Sequence, residues 1–86
     1  MIELWRGGFA LESIRFAARN RLVVDLGYGG RTRLIEPYSL RYSRAGALLL
    51  YAWKIQDREI HSYRADRITG VRVTNRPFAP RFRIQL

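Results

Sequence analysis

A chain of 86 residues has room for one domain, near the lower size at which a single core suffices, and its 48% hydrophobic and 13% aromatic content argues against disorder. The longest apolar run, Ala47 to Trp53, is far short of the ~20 residues that span a bilayer. Met1 to Ala10 lacks the features of a signal peptide, and the absence of cysteine excludes disulfides and thiolate metal sites, so a cytoplasmic protein with no membrane contact is expected.

Sixteen basic residues against seven acidic ones, a formal net charge of +9, predict attraction to polyanions. Lys54 is the only lysine, and the arginine excess fits either guanidinium recognition of phosphates and bases or a GC-rich genome.

In chain order, Met1 to Phe9 is a lead interrupted by Gly7-Gly8, with Trp5 and Phe9 expected to pack against the body. From Ala10 to Arg19, Leu11, Ile14 and Ala18 recur at i, i+3 and i+7 beside Ala10 and Ala17, the stripe of an amphipathic helix. Asn20 suits a left-handed cap, and Phe16, opposite the stripe, fits either a contact across the barrel or a partner surface. Arg21 to Tyr28 alternates as a strand, with Leu22, Val24, Leu26 and Tyr28 on one face, and Gly29-Gly30 signals a two-residue hairpin. The return strand, Arg31 to Tyr42, contains Pro37, which cannot donate to a ladder, so a bend or bulge is expected at Glu36-Pro37. Beyond it Tyr38, Leu40 and Tyr42 are expected to share a face.

Ser43 to Gly46 reads as a turn and Ala47 to Ile55 as the most buried strand. Gln56 to Arg58 turns into a strand over Glu59 to Arg64, Ala65 to Arg67 is a turn or single helical turn, and Ile68 to Thr74 is the fifth strand. Asn75 to Pro80 reads as irregular because of its two prolines. Arg81 to Leu86 alternates, as a sixth short strand, an added edge, or a tail that needs a partner. One helix and five strands predict a mainly β, α+β fold: an N-terminal helix on a small five-stranded barrel. The chain then forms one domain over 1–86, with lead (1–9), helix (10–20), barrel (21–75) and tail (76–86).

No paired nucleophile, base and acid, no phosphate-binding glycine loop and no H-E-x-x-H motif is present, so neither an enzyme nor a cofactor is expected. Scattered carboxylates with one histidine offer no recognisable metal set. The residues nevertheless suggest a binding face. Tyr38, Ser39, Arg41 and Tyr42 on one strand, with His61, Tyr63, Arg64 and Arg67 on a later strand and turn, supply guanidinium groups for phosphate, hydroxyls for sugars and rings for bases. Against this, Tyr63 fits a core ring, His61 fits a structural group, and Arg67 can pair with Asp66 or Glu36.

The order of helix, hairpin, Glu36 to Tyr42 (EPYSLRY), glycine turn, core strand, His61 to Ile68 (HSYRADRI) and Pro77 to Phe82 (PFAPRF) resembles the WYL domain of bacterial regulators, over roughly Leu11 to Phe82. The resemblance implies an Sm-like or SH3-like barrel, carried in relatives by helix-turn-helix transcription factors or found near phage-defence and CRISPR loci, and sensing nucleic acid or nucleotides. It implies ligand-facing roles for Tyr42, Arg64 and Arg67, then for Arg41 and His61. The name-giving Trp-Tyr-Leu falls on Leu48-Leu49-Leu50, which marks this run as scaffold. A single helix cannot form a helix-turn-helix, so the chain is a stand-alone sensor or part of a longer protein, with Met1 favouring the former.

The expected role is ligand sensing in transcriptional or defence regulation, with single-stranded nucleic acid or a nucleotide-like anion as ligand. A helix-turn-helix protein or effector, or a second copy, is the expected macromolecular partner. The alternative is a protein–protein interaction or dimerisation module without a nucleic-acid ligand.

Overall fold

The structure is a computed structural model that describes residues 8–86; the lead before Gly8, with the packing expected of Trp5, lies outside the described residues, as does the Phe9 ring. Helix α1 (Gly8–Arg19) buries Ala10, Ile14, Ala17 and Ala18, the stripe that its periodicity sets. The chain leaves it through Arg21, whose φ is 53°, so the left-handed residue is one place beyond the expected Asn20. Asn20 instead caps the end through its side chain, its Nδ2 donating to Phe16 O at 2.9 Å.

Five antiparallel strands follow: β1 (Leu22–Tyr28), β2 (Arg31–Tyr42), β3 (Leu48–Lys54), β4 (Glu59–Arg64) and β5 (Ile68–Pro77), in the order β4-β3-β2-β1-β5. Gly29 and Gly30 join β1 to β2 with φ of 59° and 76°, the positive pair that a primed hairpin turn needs. The break in β2 falls where Pro37 withholds a donor. Pro37 pairs with Ala52 and Ser39 with Tyr51, which leaves Tyr38 as the extra residue of a bulge. Tyr38 thereby leaves the face it was expected to share with Leu40 and Tyr42. The last strand continues to Pro77 rather than ending at Thr74, because the tolerance of an edge strand for proline lets Pro77 pair with Leu22.

The sheet is curled, as one contact shows. Two strands separate β1 from β4, or ~14 Å between the outer pair in a flat sheet. Yet the backbone N–H of Arg64 donates to the Tyr28 hydroxyl at 3.1 Å, and the Tyr28 and Tyr63 rings meet edge-to-face at 5.0 Å. Inside the curl Val24, Leu26, Ile35, Leu50, Ala52, Tyr63 and Ile68 form one core with Ile14 and Ala17 of the helix. Each fully buried aliphatic side chain contributes ~1.5–3 kcal/mol. The result is the mainly β barrel with an N-terminal helix that the sequence predicts.

The tail neither extends the sheet nor waits for a partner. It folds back over the outer face of β2 and β3. Gln85 makes one parallel bridge to Ser39, its N–H donating to Tyr38 O at 2.8 Å. Phe78 and Phe82 pack edge-to-face on Tyr38, and Phe82 also meets Trp53.

Candidate functional site

Strand register decides which of the expected side chains can meet. Leu40, Leu50 and Tyr63 form one row across β2, β3 and β4, and the next row is Arg41, Leu49 and Arg64. Successive rows alternate between the core and the outer face, so the first row is interior and the second carries both arginines outward. One position further, Tyr42 pairs with Leu48 at the barrel rim, past the end of the core, and the residue is 75% exposed.

Here the turn Ser43 to Gly46 and the 3-10 turn Ala65–Arg67 enclose a cleft of about 420 Å³, lined by Leu11 of the helix and by Tyr42, Leu48, Arg64 and Asp66 among others. A lining that combines apolar residues with a tyrosine, an arginine and an aspartate suits a planar, charged ligand. The Arg64 guanidinium is engaged on both sides by Asp66, with Nε to Oδ1 at 3.1 Å and Nη2 to Oδ2 at 2.8 Å. A ligand anion that takes Arg64 must compete with this carboxylate.

Of the remaining expected residues, Arg67 is exposed at the end of the 3-10 turn, beside the cleft but not in its lining. The pairing that sequence suggested for it goes elsewhere: Asp66 takes Arg64 and Glu36 takes Arg81. Arg41 is exposed on the outer face, over the Tyr51 ring at 5.8 Å and donating to Gln85 Oε1 at 3.1 Å.

Tyr38 and Ser39 do not join the cleft. The bulge and the tail bury both, Tyr38 to 3% exposure. The Tyr38 hydroxyl donates to Glu36 Oε1 at 2.8 Å and accepts from the Arg81 backbone at 2.9 Å. Burial pushes its pKa up to about 12, with the Arg81 N–H opposing and Glu36 adding to the shift.

His61 sits opposite Ala52, three residues from Arg64 along β4 on the side of the β3–β4 turn, and is not among the residues that line the cleft. Its ring stacks on Tyr63 at 6.2 Å, and Arg33 lies 5.7 Å from the same Tyr63 ring. Tyr63 is a core ring, as one reading of the sequence had it; burial raises its pKa, with Arg33 opposing the shift. Two of the carboxylates that looked scattered converge on the histidine. His61 Nε2 lies 3.1 Å from Asp57 Oδ2 and 3.2 Å from Glu59 Oε2.

The cleft residues that sequence reasoning passed over are Leu11, Leu48 and Asp66. Leu11 and Leu48 read as ordinary helix and strand positions, whereas the Arg64-x-Asp66 spacing at a turn is a signal that could have been used.

The WYL domain family matches the chain over residues 10–73. A search of the curated proteins returns no match. Among solved structures the chain is similar to proteasome accessory factor B/C (PafBC) of Arthrobacter aurescens, with a TM-score of 0.71 and 18% sequence identity over 88% of this chain. At this identity the likeness is one of fold, and the chain spans 14% of the length of that protein. Among the described residues no helix is long and apolar enough to cross a membrane.

Proposed function

The chain belongs to the WYL domain family, and on that footing we propose that it is a non-catalytic, ligand-sensing module of cytoplasmic transcriptional or defence regulation. Its ligand is single-stranded nucleic acid or a nucleotide-like anion held at the rim cleft. The observation that carries this reading is the placing of an exposed tyrosine ring and an arginine on one apolar concavity, in a chain of net charge +9.

Each group has a chemical task. Tyr42 offers a stacking surface worth ~1–3 kcal/mol per base. Arg64 offers a planar fork for phosphate, and Arg67, on the same turn, adds a second positive charge at the cleft mouth. Leu11 and Leu48 supply the dry floor that favours a ring over a free phosphate.

Fluorescence anisotropy with short single-stranded RNA, single-stranded DNA and cyclic nucleotides tests the reading. Affinity for a strand should fall steeply with salt. Removing Arg64 and Arg67 together should lower the slope of log affinity against log salt by about 1.4, at ~0.7 per phosphate contact on a single strand. Tyr42→Ala should cost affinity without changing that slope. Absence of binding at moderate salt, or binding unchanged in the double arginine variant, refutes the assignment.

A second reading has an observation of its own. Phe16 is 50% exposed on the helix, away from the stripe that packs on the barrel. Such a ring fits a contact with another domain, an effector or a second copy, consistent with a domain that spans a small part of a longer protein. Phe16→Glu should leave folding and oligonucleotide affinity intact and weaken only that association, measured by sedimentation or by binding to the remainder of such a protein.

A further inference from the structure

We propose that Asp57, Glu59 and His61 form a binding site for a divalent transition-metal ion of the zinc type, at the barrel end away from the cleft. The site lies towards the Lys54 end of β3 and the cleft towards its Leu48 end, with His61 three residues, or ~10 Å at ~3.3 Å per residue, from Arg64 along β4.

The geometry arises locally. Arg58, with φ of 57°, reverses the chain after β3, and its N–H closes the turn on Lys54 O at 2.9 Å. This brings Asp57 over the start of β4, where Glu59 and His61, two residues apart, share a face. One ligand atom from each of the three residues lies within 4.8 Å of the others. The two separations from His61 Nε2, 3.1 and 3.2 Å, approach the ~3.3–3.5 Å between donors implied by bonds of ~2.0–2.2 Å in a tetrahedral zinc site.

A second observation concerns the histidine itself. His61 Nε2 is a buried atom without a hydrogen-bond partner, although two carboxylate oxygens stand within 3.2 Å, so neither lies where a hydrogen bond to the ring nitrogen would place it. A buried ring nitrogen left unpaired is an uncommon cost in so small a domain. A cation between the three donors satisfies the nitrogen lone pair and both carboxylates, and its open fourth position takes water. The charge pattern agrees: two of only seven acidic residues flank the single histidine of a chain otherwise dominated by arginine.

Lys54 is the native competitor, its Nζ lying 3.1 Å from Asp57 Oδ2. The ammonium partly neutralises the site, and a bound metal must displace it. One imidazole with two carboxylates favours zinc, cobalt or nickel over magnesium or calcium.

Calorimetric titration of the tag-free chain with zinc chloride, with cobalt absorption as a report of coordination geometry, decides the matter. One zinc per chain is expected, undisturbed by excess magnesium. His61→Ala and Asp57→Asn should each weaken binding more than ~tenfold while the unfolding midpoint in chelator stays near that of the parent. Lys54→Met should tighten binding, a gain that damage to folding cannot mimic. No zinc uptake at millimolar concentration, uptake unaffected by His61→Ala, or equal competition by magnesium overturns the proposal.

Discussion

Replacing Arg81 with alanine strands a buried carboxylate. Glu36 is 4% exposed and is held by two groups, the Tyr38 hydroxyl at 2.8 Å and the Arg81 guanidinium, whose Nε and Nη2 lie 3.1 and 3.5 Å from its oxygens. Breaking a fully buried pair from one side costs ~3–5 kcal/mol. The Arg81 side chain is 46% exposed, so solvent screens the pair and water can reach part of the vacated space, which reduces the figure to about 2 kcal/mol. The guanidinium also lies 4.6 Å from the centroid of the Trp53 ring, a contact worth ~0.5–1 kcal/mol at a partly exposed site. The expected total is about 2–3 kcal/mol, a large share of the ~5–15 kcal/mol that stabilises a domain.

Urea unfolding followed by tryptophan fluorescence and circular dichroism measures it. If the loss comes from the stranded charge, adding Glu36→Gln to Arg81→Ala should recover part of it, because a neutral amide is cheaper to leave unpaired. A drop in the denaturant slope would show that the tail has left the barrel in the native state. A cost below ~0.5 kcal/mol, or no recovery in the double variant, would refute the view that this buried pair anchors the tail.

Three further outcomes follow from the geometry. Asp66→Asn releases Arg64, so affinity for an oligonucleotide or nucleotide should rise about two- to fivefold, the equivalent of an exposed ion pair, in the same anisotropy assay; unchanged or weaker binding contradicts competition at the cleft. Tyr38 keeps its proton more tightly when folded, so its contribution is full below the ordinary tyrosine value near 10 and is lost as pH rises through about 12, amounting to about 2–3 kcal/mol; Tyr38→Phe should remove that loss from unfolding curves taken across the window, whatever its cost at neutral pH. A Cβ on Gly27 would meet Thr69 Oγ1 at 2.9 Å and the Gly70 backbone N at 3.2 Å, and while the threonine can turn aside, the backbone cannot. Gly27→Ala should therefore cost ~1–3 kcal/mol and Gly70→Ala, which faces open space, far less, with equal effects counting against the register of β1 on β5.

The elements were legible because they rest on local rules. Alternation set β1 and β4 within a residue, Gly29-Gly30 set the hairpin, and the 3.6-residue stripe set the buried side of α1. Pro37 announced an interruption in β2, but which residue would bulge depended on the strand opposite. Half of the candidate face was legible in the same manner. Tyr42 and Arg64 were identifiable as types and reach one cleft, whereas Tyr38 and Ser39 disappear beneath a tail more than forty residues further along, and His61 stands outside the cleft beside Asp57 and Glu59.

By itself the sequence determined the helix and strands, the excess of positive charge and the stock of tyrosine and arginine, because periodicity, turn chemistry and composition act over a few residues. Only the tertiary structure decided the partners. Asp66 takes Arg64, Glu36 takes Arg81, the tail covers Tyr38, and Asp57 and Glu59 close on His61. Most of these contacts depend on how far the sheet curls and where one bulge falls, and neither is a property of any short stretch of chain.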